Sequence, residues 1–130
     1  MTIFKCLTCL SITKSQDLFY DLSIGLNDEQ SLINDQQQKY FDLQRLIDHT
    51  FEWESLTNDN QFECDTCQTK QDGLRQMFLT SHPNYLVLLL KRFVYNRLTG
   101  KYEKCLDRTT LPEIIQLLTV NSRQLCSVLH

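Results

Sequence analysis

Two copies of one four-residue motif, Cys6-Leu7-Thr8-Cys9 and Cys64-Asp65-Thr66-Cys67, constrain this chain more than any other feature. Each motif sets two thiols on one tight turn, and two such turns facing each other bring four sulfurs to the corners of a tetrahedron, the ligand set of a zinc ribbon. Strand-like approaches, Ile3-Phe4-Lys5 and Gln61-Phe62-Glu63, lead into both turns, as ribbon hairpins require. The pattern predicts one zinc ion held by Cys6, Cys9, Cys64 and Cys67. Such an ion is worth on the order of 10–16 kcal/mol in small finger peptides, comparable with the ~5–15 kcal/mol net stability of a whole domain. Four thiolates leave no open coordination position, so this metal is structural and activates no water.

Other chemistries fit four cysteines less well. A redox dithiol sits at a helix start near positive charge, and neither motif has that setting. A four-thiolate iron site shares both softness and spacing with zinc and stays open on this ground. Disulfides and metal-free thiols are the remaining alternatives, and the compartment weighs against the first of these. The segment from Met1 to Cys6 lacks the apolar run of a signal peptide, and the longest apolar stretch, Tyr85 to Leu90, falls far short of a membrane span. The chain is therefore expected to be intracellular, cytoplasmic or nuclear or both, and not to meet a membrane. Its 13 basic and 16 acidic residues are interspersed, for a formal charge of −3, which leaves no cationic face for a phosphate backbone and excludes nucleic acid as the expected partner.

At 130 residues, 42% of them hydrophobic, the chain suffices for one core, and residues 1–130 are read as a single unit. Leu18, Tyr20, Leu22, Ile24 and Leu26 recur at every second position, the period of a half-buried strand, with Phe19 on the outer face. The polar stretch from Asn27 to Gln38 predicts a surface loop. Tyr40, Leu43, Leu46, Ile47 and Phe51 then share one helical stripe, with Asp42 placed to cap the first turn. Past the second motif, Gly73 to Thr80 reads as a strand. The run from Tyr85 to Leu90 reads as a central strand covered on both faces, extended through Phe93-Val94-Tyr95 after Lys91 and Arg92. Asn96 to Gly100 predicts a hairpin loop with Gly100 at positive φ, Lys101 to Leu106 the returning strand, Leu111-Pro112 the start of another extended piece, and Gln124 to Leu129 a last strand. The expected class is α+β, mainly antiparallel sheet with zinc-ribbon fingers and one or two helices.

The order of these motifs resembles the ubiquitin-specific proteases, papain-like cysteine hydrolases that remove ubiquitin from proteins. After the first cysteine pair, Phe19-Tyr20-Asp21-Leu22-Ser23-Ile24 is similar to the family's aromatic-x-Asp-Leu-Ser-aliphatic strand, followed by Leu43 to Leu46 and by Phe51-x-x-Glu54-x-Leu56. Phe62-x-Cys64-x-x-Cys67 comes next. Pro83-x-x-Leu86-Val87-Leu88-Leu89-Leu90-Lys91-Arg92-Phe93 then resembles the family's Leu-Pro segment and Leu-Lys-Arg-Phe strand, with His82 where a leucine is usual. The likeness runs from Lys5 to about Leu118, and Leu125 to His130 is similar to the strand ahead of the catalytic histidine segment. It implies zinc-tipped fingers at 6–9 and 64–67, palm-like strands over 73–130, and ubiquitin or a ubiquitinated protein as partner. The family's cysteine box and its Gly-His-Tyr segment have no counterpart among these residues, so no catalytic residue is assigned.

The remaining chemistry-bearing side chains fit that reading. A thiolate nucleophile needs a histidine in hydrogen-bond reach, an orienting group and oxyanion donors, and Cys105 and Cys126, each expected on a strand, read as core thiols. His49, His82 and the terminal His130 read as surface residues, and Lys91-Arg92 as a strand-end charge pair. Because ubiquitin's recognition face is basic and apolar, Glu52, Glu54 and Asp59 are candidate contacts on electrostatic grounds. The alternative reading is a stand-alone zinc-ribbon domain that binds some other protein.

Overall fold

The computed structural model describes residues 1–81, 83–120 and 123–128. In chain order its strands are β1 (Thr2–Cys6), β2 (Ile12–Ser15), β3 (Asp21–Gly25), β4 (Leu32–Ile33) and β5 (Lys39–Asp42), followed by the helix α1 (Leu43–Thr50). There follow β6 (Glu54–Leu56), β7 (Phe62–Cys64), β8 (Thr69–Gln71), β9 (Gly73–Met77), β10 (Val87–Lys91), β11 (Phe93–Asn96), β12 (Lys101–Lys104), β13 (Arg108–Thr110), β14 (Ile114–Leu118) and β15 (Arg123–Ser127). Two single 3-10 turns, Asp28–Gln30 and Asn58–Asn60, complete the helical content among the described residues. The named strands pair antiparallel except for β3 with β10 and β5 with β13, so the α+β, mainly antiparallel class holds.

One main core organises one end of the fold. The alternation in β3 buries Leu22, Ile24 and then Leu26, and these meet Leu43, Leu46, Ile47 and Phe51 from α1, Phe41 from β5, and Ile115 and Leu117 from β14. The helix begins where expected in one respect: the Asp42 carboxylate accepts from the Arg45 N–H at 3.0 Å, satisfying one of the donors a first turn leaves unpaired. Tyr40, however, lies in β5 and not on the helix, because β4 and β13 both pair with that segment.

The alternating strand is shorter than its sequence pattern. Leu18 and Tyr20 are fully exposed, and the strand starts only at Asp21, the first residue that β10 pairs. The segment read as a loop, 27–38, contains β4, which turns back on β5 through Asn34, whose side-chain Oδ1 accepts from the backbone N–H groups of Gln36 and Gln38.

Nor is the apolar run covered on both faces. Tyr85 and Leu86 precede β10, whose Leu88 and Leu90 pack against the core while Val87 and Leu89 face outward, 61% and 49% exposed. Arg92 separates β10 from β11, so Phe93 to Tyr95 belong to a different pairing, with β12. The guanidinium turns inward and donates to the carbonyls of Cys105 and Asp107 and to the Thr109 hydroxyl, pinning the crossing from β12 to β13. Arg92 is thus a positioning group, and only Lys91 is an exposed strand-end charge.

Gly100 takes the expected positive φ, 68°, in the hairpin. The returning strand ends at Lys104, two residues early, and Leu106 is exposed. Leu111-Pro112 lead into the next strand, β14, which begins at Ile114, and β9 ends at Met77, with Leu79 held by a single bridge to Thr119. The last strand runs from Arg123 to Ser127, and Leu129 lies outside the described residues.

At the other end, β2-β1-β9-β6 form a four-stranded sheet carrying the first motif, and the β7–β8 hairpin carries the second. The two are fastened by an aromatic stack: the rings of Phe4 and Phe62 lie 5.7 Å apart, and Phe62 covers Gly73 so closely that a Cβ there would come 2.2 Å from the ring. Gly73 also pairs with both Cys6 and Leu56 across the sheet, so its missing side chain sets the distance between hairpin and sheet.

Candidate metal centre

Cys6 closes β1 and Cys64 closes β7, and both are buried, whereas Cys9 is exposed and Cys67 half-buried in the turns that follow. The chain enters each turn from a strand and leaves it through a residue with left-handed backbone, Leu10 at φ 62° and Gln68 at φ 56°. That conformation reverses the chain within one turn and lets both thiols point the same way. Cross-links hold each turn: the Cys6 N–H donates to the Ser11 carbonyl at 2.9 Å, the Gln68 N–H to the Cys64 carbonyl at 2.7 Å, and the Leu7 N–H to the Asp72 carbonyl at 3.0 Å.

The four sulfurs lie within 4.8 Å of one another, and those of Cys9 and Cys64 are 3.6 Å apart. Four thiolates about 2.3 Å from a common ion stand about 3.8 Å from each other, so the cluster needs only a slight contraction to hold zinc. Donors already serve the sulfurs. A hydrogen bond from the Cys67 backbone N–H, reinforced by the Ser11 hydroxyl, draws the Cys64 thiol down to about 6. The Ser11 hydroxyl likewise lowers Cys9. Cys67 moves the other way, up to about 12, because in the metal-free cluster it is the protonated partner of Cys9. Four clustered sulfurs with N–H and O–H donors directed at them form a donor set that fits a soft cation.

The sequence profile of the family described as Ubiquitin carboxyl-terminal hydrolase matches residues 5–128, nearly the whole chain. The chain belongs to the ubiquitin carboxyl-terminal hydrolase family. Among curated members, Ubiquitin carboxyl-terminal hydrolase 4 of Arabidopsis thaliana is 27% identical over 113 residues, which are 87% of this chain and 28% of that protein. The probable ubiquitin carboxyl-terminal hydrolase 9 of Schizosaccharomyces pombe is 30% identical over 115 residues, 88% of this chain and 18% of that one. A solved structure of the SAGA Ubp8/Sgf11/Sus1/Sgf73 DUB module bound to ubiquitin aldehyde superposes with a TM-score of 0.64 at 26% identity, covering 89% of this chain and 23% of that one. The chain thus spans less than a third of the family members it matches.

The other residues singled out in the sequence are placed apart from the cluster. Cys105 follows β12 instead of lying in it, half-buried, its sulfur 3.5 Å from the Asp107 carboxylate. Cys126 sits on β15, half-buried against the core. His49 is at the surface as expected but has a partner, Glu52, at 3.1 Å. Glu54 is likewise engaged, by Arg75 at 2.9 Å, and Glu52, Glu54 and Asp59 are all exposed. His82 and His130 lie outside the described residues. Among the described residues no helix is long and apolar enough to cross a membrane. Two features went unread in the sequence: Ser11, whose hydroxyl reaches the cluster, and the left-handed residues after each second cysteine, where no glycine marks the turn.

Proposed function

We propose that this chain is the zinc-bearing fingers and part of the palm of a ubiquitin-directed cysteine protease domain, and that its work is to grip ubiquitin rather than to cleave the bond at its carboxyl terminus. The observation that carries this reading is the four-cysteine cluster closing the fingers within a chain matched over 5–128 by the family. Support for ubiquitin as partner comes from the similar Ubp8 module, which was solved bound to ubiquitin aldehyde. Zinc, held by Cys6, Cys9, Cys64 and Cys67, supplies a rigid cross-link and no open coordination position. Zinc held by four thiolates suits the reducing interior of a cell, cytoplasmic or nuclear.

Bond cleavage is not assigned to these residues. Cys105 and Cys126 are packed on the core, and the described histidine, His49, pairs with Glu52 at the surface. Recognition falls instead to exposed acidic side chains such as Asp59, Glu52 and Glu54, the last two held in defined positions by His49 and Arg75. Isotope-labelled ubiquitin titrated with the zinc-loaded chain is expected to show shifts confined to one face and no release of a carboxyl-terminal fluorophore. An unshifted spectrum at high micromolar concentration contradicts the grip, and turnover contradicts the division of labour.

A further inference from the structure

Ser11 touches three of the four cysteines. Its carbonyl accepts from the Cys6 N–H at 2.9 Å, its backbone N–H faces the Cys9 sulfur, and its hydroxyl oxygen lies 3.0 Å from the Cys9 sulfur and 3.5 Å from that of Cys64. Cys9 belongs to the first knuckle and Cys64 to the second. Ser11 is half-buried at the start of the segment leading into β2, so its backbone is fixed by the same turn that fixes Cys6.

Resting on the zinc reading above, we propose that Ser11 is a supporting residue of the metal centre, whose hydroxyl donates to the thiolate ligands of both knuckles and holds them at one ion. The direction of the bond follows from charge. A metal-bound thiolate carries no proton, so the hydroxyl must donate, with its single proton chiefly on Cys9 at the shorter distance and shared toward Cys64. Four thiolates on a divalent cation leave two net negative charges in a partly buried place, and each hydrogen bond to sulfur spreads that charge. Such outer partners commonly change metal affinity by about 10- to 100-fold. Ser11 differs from the backbone donors around it because it reaches across the gap between the two motifs, whose cysteines are 55 residues apart in the chain. It therefore ties ligand strength to the docking of the β7–β8 hairpin on the sheet.

The test compares the full chain with Ser11→Ala and Ser11→Thr, using competition with a chromophoric chelator for zinc affinity and the sulfur-to-metal charge-transfer band after cobalt substitution. Ser11→Ala is expected to bind zinc about 10-fold more weakly and to move the cobalt band to lower energy, since an unbonded thiolate gives up its electron more readily; Ser11→Thr, which keeps the hydroxyl, should restore both. The band is read at saturating cobalt, so a variant that folds only with metal still reports. Wild-type affinity with an unmoved band in Ser11→Ala would overturn the role of Ser11 while leaving the zinc reading intact. A wild-type chain that takes up no metal would overturn both.

Discussion

At the scale of single residues, the two knuckles are bent by side chains ill suited to the bend. Leu10 and Gln68 hold left-handed backbone, which costs an L-residue with a Cβ roughly 1–2 kcal/mol and glycine almost nothing. Gln68 is exposed and its side chain has no hydrogen bond to lose among those the structure describes. Gln68→Gly should therefore stabilise the zinc-loaded chain by about 0.5–1 kcal/mol in urea unfolding, the relief exceeding glycine's extra chain entropy. The thiols also fix a pH dependence. Metal-free Cys67 stands near 12 and Cys64 near 6. At pH 7 zinc must displace the Cys67 proton, so apparent affinity rises with pH. Below about pH 6 Cys64 is protonated as well, so the decline on acidification steepens there. Calorimetric zinc titrations in buffers of different ionisation enthalpy should show this proton release. That these four cysteines come together was legible from spacing alone. Ser11 was not, because a serine two residues past a knuckle is ordinary until the second knuckle is brought against it.

Among the elements, the finger joint depends on an absence. A methyl group at Gly73 would meet the Phe62 ring at 2.2 Å and the Lys5 carbonyl at 2.8 Å, and the carbonyl belongs to a paired strand that has nowhere to go. Gly73→Ala is expected to destabilise the chain by about 1–3 kcal/mol through overpacking. Gly25→Ala, where the nearest atom is the Asn27 side chain at 3.9 Å, should change stability by no more than about 0.5 kcal/mol. Thermal unfolding of the two variants side by side checks both. The helix was legible because its stripe and its Asp42 cap are local signals. Its start was misplaced at Tyr40 because β4 and β13, distant in sequence, claim that residue for a sheet. For β10, hydrophobicity announced a strand but not its surroundings. A run such as Tyr85 to Leu90 looks the same whether one face or two are covered, and here Val87 and Leu89 are left outward.

For the molecule as a whole, the family order of motifs and the fold agree: a core built on β3, α1 and β14, and a sheet and hairpin that meet at the cysteine cluster. The family was legible because its strand motifs and knuckles are short, ordered and specific. The division between buried and outward-facing strand residues was not, since it depends on contacts between segments far apart in the chain. The sheet and the hairpin are joined by the Phe4–Phe62 stack, by the hydrogen bonds of Thr8 to Gln71 and of Leu7 to Asp72, and by the cysteine cluster, and the proposed function stands on the ion that cluster would hold. Native mass spectrometry of the purified chain measures this most directly. One zinc per chain is predicted, lost on replacing Cys6 by serine. A chain that carries no metal when purified under reducing conditions, or a Cys6→Ser chain that keeps a full equivalent, would contradict it.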